Sequence, residues 1–384
     1  LPVASHGVRP SGRTLPSMHR HHQALGARTA LHLLLPPMPK ALSKSPSFAK
    51  RLVAWQKQHG RHDLPWQSSA DPYRVWLSEI MLQQTQVVTV MVYYDKFLSR
   101  FPTVAALASA SLDEVLGLWS GLGYYSRAKN LHRCAQMVAS AHGGVFPNTK
   151  DALQALPGIG PSTAAAIASL CFGKREAILD GNVKRVLTRV HGFGHDLSQA
   201  THEKALWKIA QQVLPLGESD MPSYTQGMMD LGATLCTRSQ PACQRCPMQD
   251  MCVARQEGQA THYPVKSRKL KRSAQSMWLL FARSSEAAVW LQQRPPKGVW
   301  ASLFTFPIFE SEEDLRASLP KPLQSKLQFA PAFVHVLTHK DLHLHVAHLS
   351  LPTTKSLGVT GQWWRAQDWP SLGLPAPVRQ LLLA

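Results

Sequence analysis

Leu156-Pro-Gly-Ile-Gly-Pro-Ser-Thr-Ala164 places two glycines two residues apart in an apolar frame, followed at once by proline and an alanine-rich stretch. Glycine accepts a left-handed turn without steric cost. Proline suits the first position of the helix that follows, where its missing N–H has no partner to lose. The other N–H groups of that first turn then point outward and can receive a phosphate oxygen. With Gly158, Gly160 and Ser162 at its tip, such a turn can hold a nucleic-acid backbone without reading bases. A Gly-x-Gly pair alone is equally an ordinary tight turn between helices, so the flanking chain must decide.

The flanking chain is basic and largely foldable. Its 384 residues carry 42 Lys and Arg against 23 Asp and Glu, a formal net charge of +19. With 44% hydrophobic and 17% charged residues it can bury a core and is no disordered polycation. At roughly 150 residues per domain, about two domains are expected. Excess positive charge on a folded body favours a polyanionic partner, nucleic acid first and an anionic membrane surface second. No apolar run approaches the roughly 18 residues of a bilayer span, so an integral membrane protein is not expected.

Residues 1–46 contain no acid, the first being Asp63. They read as a disordered N-terminal extension, although a basic, acid-free stretch is also chemically compatible with a transit peptide. From residue 47 to about 259 the pattern is of amphipathic helices broken by Pro and Gly. Asp71-Pro72 gives an N-cap and a first-position proline, and Ser111 with Glu114 gives a capping box. Gly121, Gly143, Gly173 and Gly217 stand where helices should stop. After the basic run Lys266–Arg272 the texture becomes strand-like at Met277–Ala282, Ala287–Gln292 and His343–Leu349. The expected organisation is therefore a helical domain over 47–265, a basic linker over 266–276 and an α+β domain over 277–384.

Within the helical part, Cys236-x6-Cys243-x2-Cys246-x5-Cys252 supplies four thiols in 17 residues. Structural zinc usually takes two close pairs separated by a longer loop, whereas this loop has one close pair flanked by single ligands. Uneven spacing in a compact loop suits the separated corners of a 4Fe–4S cluster, with zinc as the alternative. Asp180, in Ala177-Ile-Leu-Asp-Gly-Asn-Val-Lys-Arg-Val186, caps a helix. It is also a carboxylate that could face a cationic sugar, and backbone N–H groups should keep it ionised. Glu79, in the helix that begins at Pro72, falls within an apolar stripe. On the surface it would be a solvated edge residue. If it is buried, its pKa rises toward neutrality and it becomes a general acid. Gly121-Leu-Gly-Tyr-Tyr125 is a glycine-flanked aromatic pair, suited either to the core or to an exposed wedge.

Together, the cysteine spacing after a run of helices, the hairpin frame and the stretch Ser78-Glu-Ile-Met-Leu-Gln-Gln-Thr-Gln-Val87 resemble the endonuclease III and MutY superfamily of DNA glycosylases, the last stretch resembling the MutY family closely. The resemblance spans about residues 47–384. It implies an all-α helix-hairpin-helix glycosylase domain with an iron–sulfur loop at 236–252, followed by an α+β MutT/Nudix-like domain. By the same resemblance Glu79 protonates adenine at N7, Asp180 is the catalytic carboxylate, and Cys236, Cys243, Cys246 and Cys252 hold a 4Fe–4S cluster. Gln84 and Thr85 approach the opposite, damaged base, and Tyr124 with Leu122 forms the wedge that offsets unstacking.

Ser162 occupies the place of the endonuclease III lysine whose amine attacks C1′, and a serine cannot form that Schiff base. Lys184 is a phosphate contact or an occasional trap for an abasic sugar. The C-terminal part lacks a Nudix box, and the family's Phe-Ser-His recognition loop becomes Leu337-Thr338-His339. His335, His343, His345 and His348 read as a partly exposed sheet face rather than a metal site.

The implied function is a monofunctional adenine DNA glycosylase of base-excision repair. Its partner would be double-stranded DNA containing adenine opposite 8-oxoguanine or guanine, and it would act as a monomer in a bacterial-type, nucleoid-associated cytoplasmic setting. The alternative is an endonuclease III-like oxidised-pyrimidine glycosylase and abasic lyase.

Overall fold

The computed structural model describes residues 47–268 and 271–384. The expected extension over 1–46 lies outside the described residues, as do Lys269 and Leu270 of the basic run. The helical part runs α1 (Phe48–His59), α2 (Pro72–Leu82), α3 (Val87–Arg100), α4 (Val104–Ser109), α5 (Leu112–Leu118), α6 (Ser126–Ala141), α7 (Lys150–Gln154), α8 (Pro161–Phe172), α9 (Gly181–His191), α10 (Ala200–Gln212), α11 (Met221–Asp230) and α12 (Val253–Gln256).

Several ends follow from capping chemistry. The Asp71 carboxylate accepts from Tyr73 N–H to start α2, and Asp180 accepts from Val183 N–H to start α9. Ser111 caps α5 through Glu114 N–H, but the Glu114 carboxylate pairs with Arg100 instead of completing a capping box. Gly173 closes α8 in the left-handed conformation, as expected. Gly217 does not end a helix: α10 stops at Gln212, and Gly217 precedes a short 3₁₀ turn at ordinary negative φ.

α8 is the axis of this domain. Ala164, Ile167 and Ala168 face one apolar core, built with α2, α3 and α6. Ala165 and Ala166 face the other, built with α1, α9 and α11. A helix buried all round must be apolar all round, and its alanines let neighbouring helices approach closely.

The C-terminal part holds β1 (Ser273–Ser284), β2 (Val289–Gln293), β3 (Phe304–Thr305), β4 (Ile308–Phe309), α13 (Glu312–Ala317), α14 (Lys321–Gln324), β5 (Gln328–Phe329), β6 (Phe333–Val336), β7 (Lys340–Leu351), β8 (Gln362–Trp364) and α15 (Ala376–Leu383). Among the described residues these form one eight-stranded mixed sheet with β1 and β7 at its centre, parallel from Ser273↔Lys340 to Ser284↔Leu351. Apolar side chains pack on both faces, with α15 on one and α13 on the other. The first strand begins at Ser273, so the linker is shorter than the expected 266–276: its last residues already pair in register with β7.

The two parts meet closely. Leu303 of the C-terminal part is fully buried within the α2–α3–α6 core. Tyr125 Oη and Ser120 Oγ both donate to the Leu374 carbonyl, at 2.7 and 3.0 Å. A Cβ on Gly117 of α5 would collide with the Ser371 carbonyl oxygen, so backbone packs against backbone there.

Candidate active site

The end of α2, the start of α8 and the start of α9 converge on one cavity of about 910 Å³, whose walls include Glu79, Gln84, Thr85, Ser162 and Asp180. These residues are separated by up to about a hundred positions in the chain, and the fold brings them together. α2 buries Val75, Trp76 and Ile80 in the core, which leaves Glu79 half-buried at the cavity wall. Burial, and after it the nearby charge of Asp180, pushes the Glu79 carboxyl up to about 7. A carboxyl poised there can keep its proton at neutral pH and give it away.

Asp180 is held by the N-terminus of α9, its Oδ1 accepting from Val183 N–H at 2.7 Å. Its pKa is nevertheless raised rather than lowered. Desolvation at the cavity wall outweighs the N–H groups of Val183 and Asn182 and the charges of Arg185 and Lys184. The sequence-based expectation counted the cap and missed the desolvation. Ser162 Oγ accepts from Leu179 N–H at 3.0 Å, so this hydroxyl fixes the backbone just before Asp180.

At the hairpin, Gly158 adopts φ +77°, and a Cβ there would lie 2.6 Å from Asn130 Cβ. Gly160 differs from expectation. It is the N-cap of α8 at φ −82° with open space around its Cα, so what it offers is room for close approach rather than a left-handed turn. Lys184 Nζ pairs with Glu203 Oε1 at 2.7 Å.

Tyr124 is 42% exposed, whereas Leu122 is only 6% exposed and belongs to the core. Leu122 is therefore no wedge: glycines on either side turn the backbone, and its side chain goes inward while Tyr124 goes out. Tyr124 Oη lies 2.7 Å from Thr338 Oγ1, joining two segments 214 residues apart in sequence. Thr338 and His339 are exposed in the turn between β6 and β7, while Leu337 packs into the second domain. His345 stacks on Trp278 with ring centroids 4.3 Å apart, in keeping with a sheet-face role.

Cys236, Cys243, Cys246 and Cys252, none in a disulfide, line one small cavity between α9, the turn at Leu231 and Leu235, the cysteine loop and α12. Among the described residues, no group of three or more His, Cys, Asp or Glu converges as for a single metal ion. Burial, then the other three sulfurs, pushes the Cys246 thiol up to about 12, so four thiolates here need a cationic partner. Four separated sulfurs around one cavity fit a cluster.

Two arginines of α9, not singled out in the sequence, hold this loop. Arg185 donates to the Cys236 and Gly232 carbonyls, each at 2.7 Å. Arg189, 1% exposed, donates to the Thr237 and Arg238 carbonyls at 2.6 and 2.9 Å. The helix that presents Asp180 at one end is thus bonded to the cysteine loop along its length.

Residues 77–212 match the HhH-GPD superfamily of base excision DNA repair proteins, residues 236–252 the iron-sulfur binding domain of endonuclease III, and residues 277–384 a NUDIX domain. Fold and site together define a helix-hairpin-helix DNA N-glycosylase with an iron–sulfur loop and a Nudix-like second domain. An adenine DNA glycosylase from Buchnera aphidicola subsp. Acyrthosiphon pisum (strain APS) is 36% identical over 340 residues, which cover 87% of this chain and 96% of that protein. One from Homo sapiens is 36% identical over 389 aligned positions, covering 84% of this chain and 70% of that protein. The chain belongs to the adenine DNA glycosylase family. It is a DNA N-glycosylase that removes adenine in base-excision repair, and its cofactor is a 4Fe–4S cluster. These relatives do not favour the oxidised-pyrimidine alternative. Among the described residues no helix is long and apolar enough to cross a membrane.

Proposed function

We propose that the protein is a monofunctional glycosylase, acting as a monomer, that removes adenine paired with 8-oxoguanine or guanine. Neutral adenine leaves poorly until a ring nitrogen is protonated. Glu79 supplies that proton at N7, and the Asp180 carboxylate steadies the oxocarbenium-like sugar as the glycosidic bond breaks. Asp180 could also bond transiently to C1′ in the manner of a retaining glycosidase before water enters. Ser162 offers no amine for a Schiff base and instead orients the backbone beside Asp180. Cys236, Cys243, Cys246 and Cys252 hold the cluster, which supplies a covalent tie across the loop when bound.

The reading rests chiefly on one observation: Glu79, with a pKa of about 7, shares a cavity with Asp180. Recognition of the oxidised base falls to Gln84, Thr85 and Tyr124 from the helical domain and to Thr338 and His339 from the second. The Tyr124–Thr338 hydrogen bond supports that grouping.

The test uses duplexes with adenine opposite 8-oxoguanine, adenine opposite guanine, or an oxidised pyrimidine, scored for strand breaks before and after hot alkali. Alkali-dependent breaks at adenine, faster opposite 8-oxoguanine, are expected. Alkali-independent breaks, or equal rates opposite both purines, would refute the mechanism or the specificity respectively.

A further inference from the structure

We propose that Arg127 is a positioning residue that locks the end of the Glu79 helix to the turn presenting Tyr124. Arg127 stands at the start of α6 and is 8% exposed. Nη1 donates to the carbonyls of Ile80, Met81 and Gln83, at 2.9, 2.8 and 2.6 Å, and so closes the end of α2. Nη2 donates to Thr85 Oγ1 at 3.1 Å and to the Leu122 and Gly123 carbonyls at 3.2 Å each. One guanidinium therefore ties the helix bearing the acid to the turn bearing the aromatic, one terminal nitrogen serving mainly each side. The Trp119 and Tyr124 rings lie 5.1 and 5.5 Å from its Cζ.

Backbone geometry gives a second, independent sign. Gln84 and Tyr124 adopt φ +58° and +48°, left-handed conformations that side chains other than glycine rarely hold. Such strain persists only where surrounding contacts over-determine it. Both residues lie in the segments that Arg127 fastens. Burial lowers the guanidinium pKa to about 10, which leaves it charged at neutral pH. Lysine would carry the same charge but has no planar fork with which to reach both sides at once.

The proposal rests on Tyr124 acting as the wedge, and the test separates the two ideas. Arg127→Lys is made in the full-length, cluster-loaded protein. In the DNA-free state, amide exchange should rise at residues 83–86 and 121–124 together, with the α9 and cluster-loop amides unchanged. Single-turnover adenine excision should slow roughly ten- to a hundredfold, the scale expected when reacting groups are misplaced by about an ångström. Combined with Tyr124→Ala, Arg127→Lys should add little further loss, because both act through one turn.

Multiplying effects, exchange rising on one side only, or an Arg127→Lys rate equal to that of the unsubstituted protein would each overturn the proposal. If Tyr124→Ala alone leaves excision unchanged, the wedge assignment fails, and Arg127 is judged by its own rate and exchange. Should Arg127→Lys not fold, Thr85→Val removes one acceptor of Nη2. Faster exchange at 121–124 in that variant supports the proposal, and unchanged exchange refutes it.

Discussion

Replacing Glu79 by Gln separates the chemistry of the site from its cost. At an ordinary 4.5 a carboxyl is about 0.3% protonated at pH 7, whereas at about 7 it is about half protonated. Burial beside Asp180 thus supplies on the order of a hundredfold more of the acid form. Glu79→Gln fills the same space without a proton to donate, so single-turnover excision should fall about 10²- to 10⁴-fold or more while mismatch binding persists. In the unsubstituted protein the rate should decline above about pH 7 as Glu79 loses its proton, and fall again on the acid side as the Asp180 carboxylate, its pKa raised by desolvation, becomes protonated.

The same shift has a stability consequence of opposite sign. Because the folded value lies above the unfolded one, the penalty is absent below about 4.5, grows as the unfolded carboxyl ionises first, and is complete above about 7. Its ceiling is on the order of 3 kcal/mol. Glu79→Gln should therefore raise Tm at pH 8 and lose most of that advantage at pH 5, as read by calorimetry at both pH values. Equal Tm differences at the two would show that Glu79 is not desolvated, and near-normal excision would remove it as the acid.

The cluster should colour the purified protein brown with about four irons per chain. Cys243→Ser should lower iron content, soluble yield and DNA affinity, and stoichiometric zinc in anaerobic preparations would contradict this. Thr338→Ala removes the partner of Tyr124 Oη, and should reduce preference for 8-oxoguanine over guanine severalfold with little change in Tm, checked by paired single-turnover rates. Ending the chain after Arg272 removes Leu303 from the helical core. It should lower both Tm and discrimination, and a truncated protein with full preference would assign the second domain another role.

Much of this was legible in the sequence where chemistry is local. The caps at Asp71 and Asp180, the proline opening α8 and the cysteine spacing each declare themselves within a few residues. Glu79 was legible as a carboxyl in an apolar stripe, although only the structure shows Asp180 raising its pKa. What was hidden is non-local. Arg127, Arg185 and Arg189 look like surface residues in a helical pattern, because nothing nearby in sequence reveals the distant carbonyls that satisfy a buried guanidinium. Leu122 was misread because flanking glycines signal a turn but not which side chain the turn sends outward. The contact between Tyr124 and Thr338 crosses a domain boundary and has no local signature.

The meeting of Gly117 with the Ser371 carbonyl bears on how such a protein fails. Any side chain at 117 would push the Nudix-like domain off its seat while leaving both carboxyls and the cysteine loop in place. Adenine would still be released, but, if the second domain takes the recognition role proposed for it, with less preference for 8-oxoguanine opposite. A screen for bulk base release would pass such a variant as sound. On the proposed specificity, its defect would surface as a heritable rise in mutation rate, through adenines left in place opposite 8-oxoguanine.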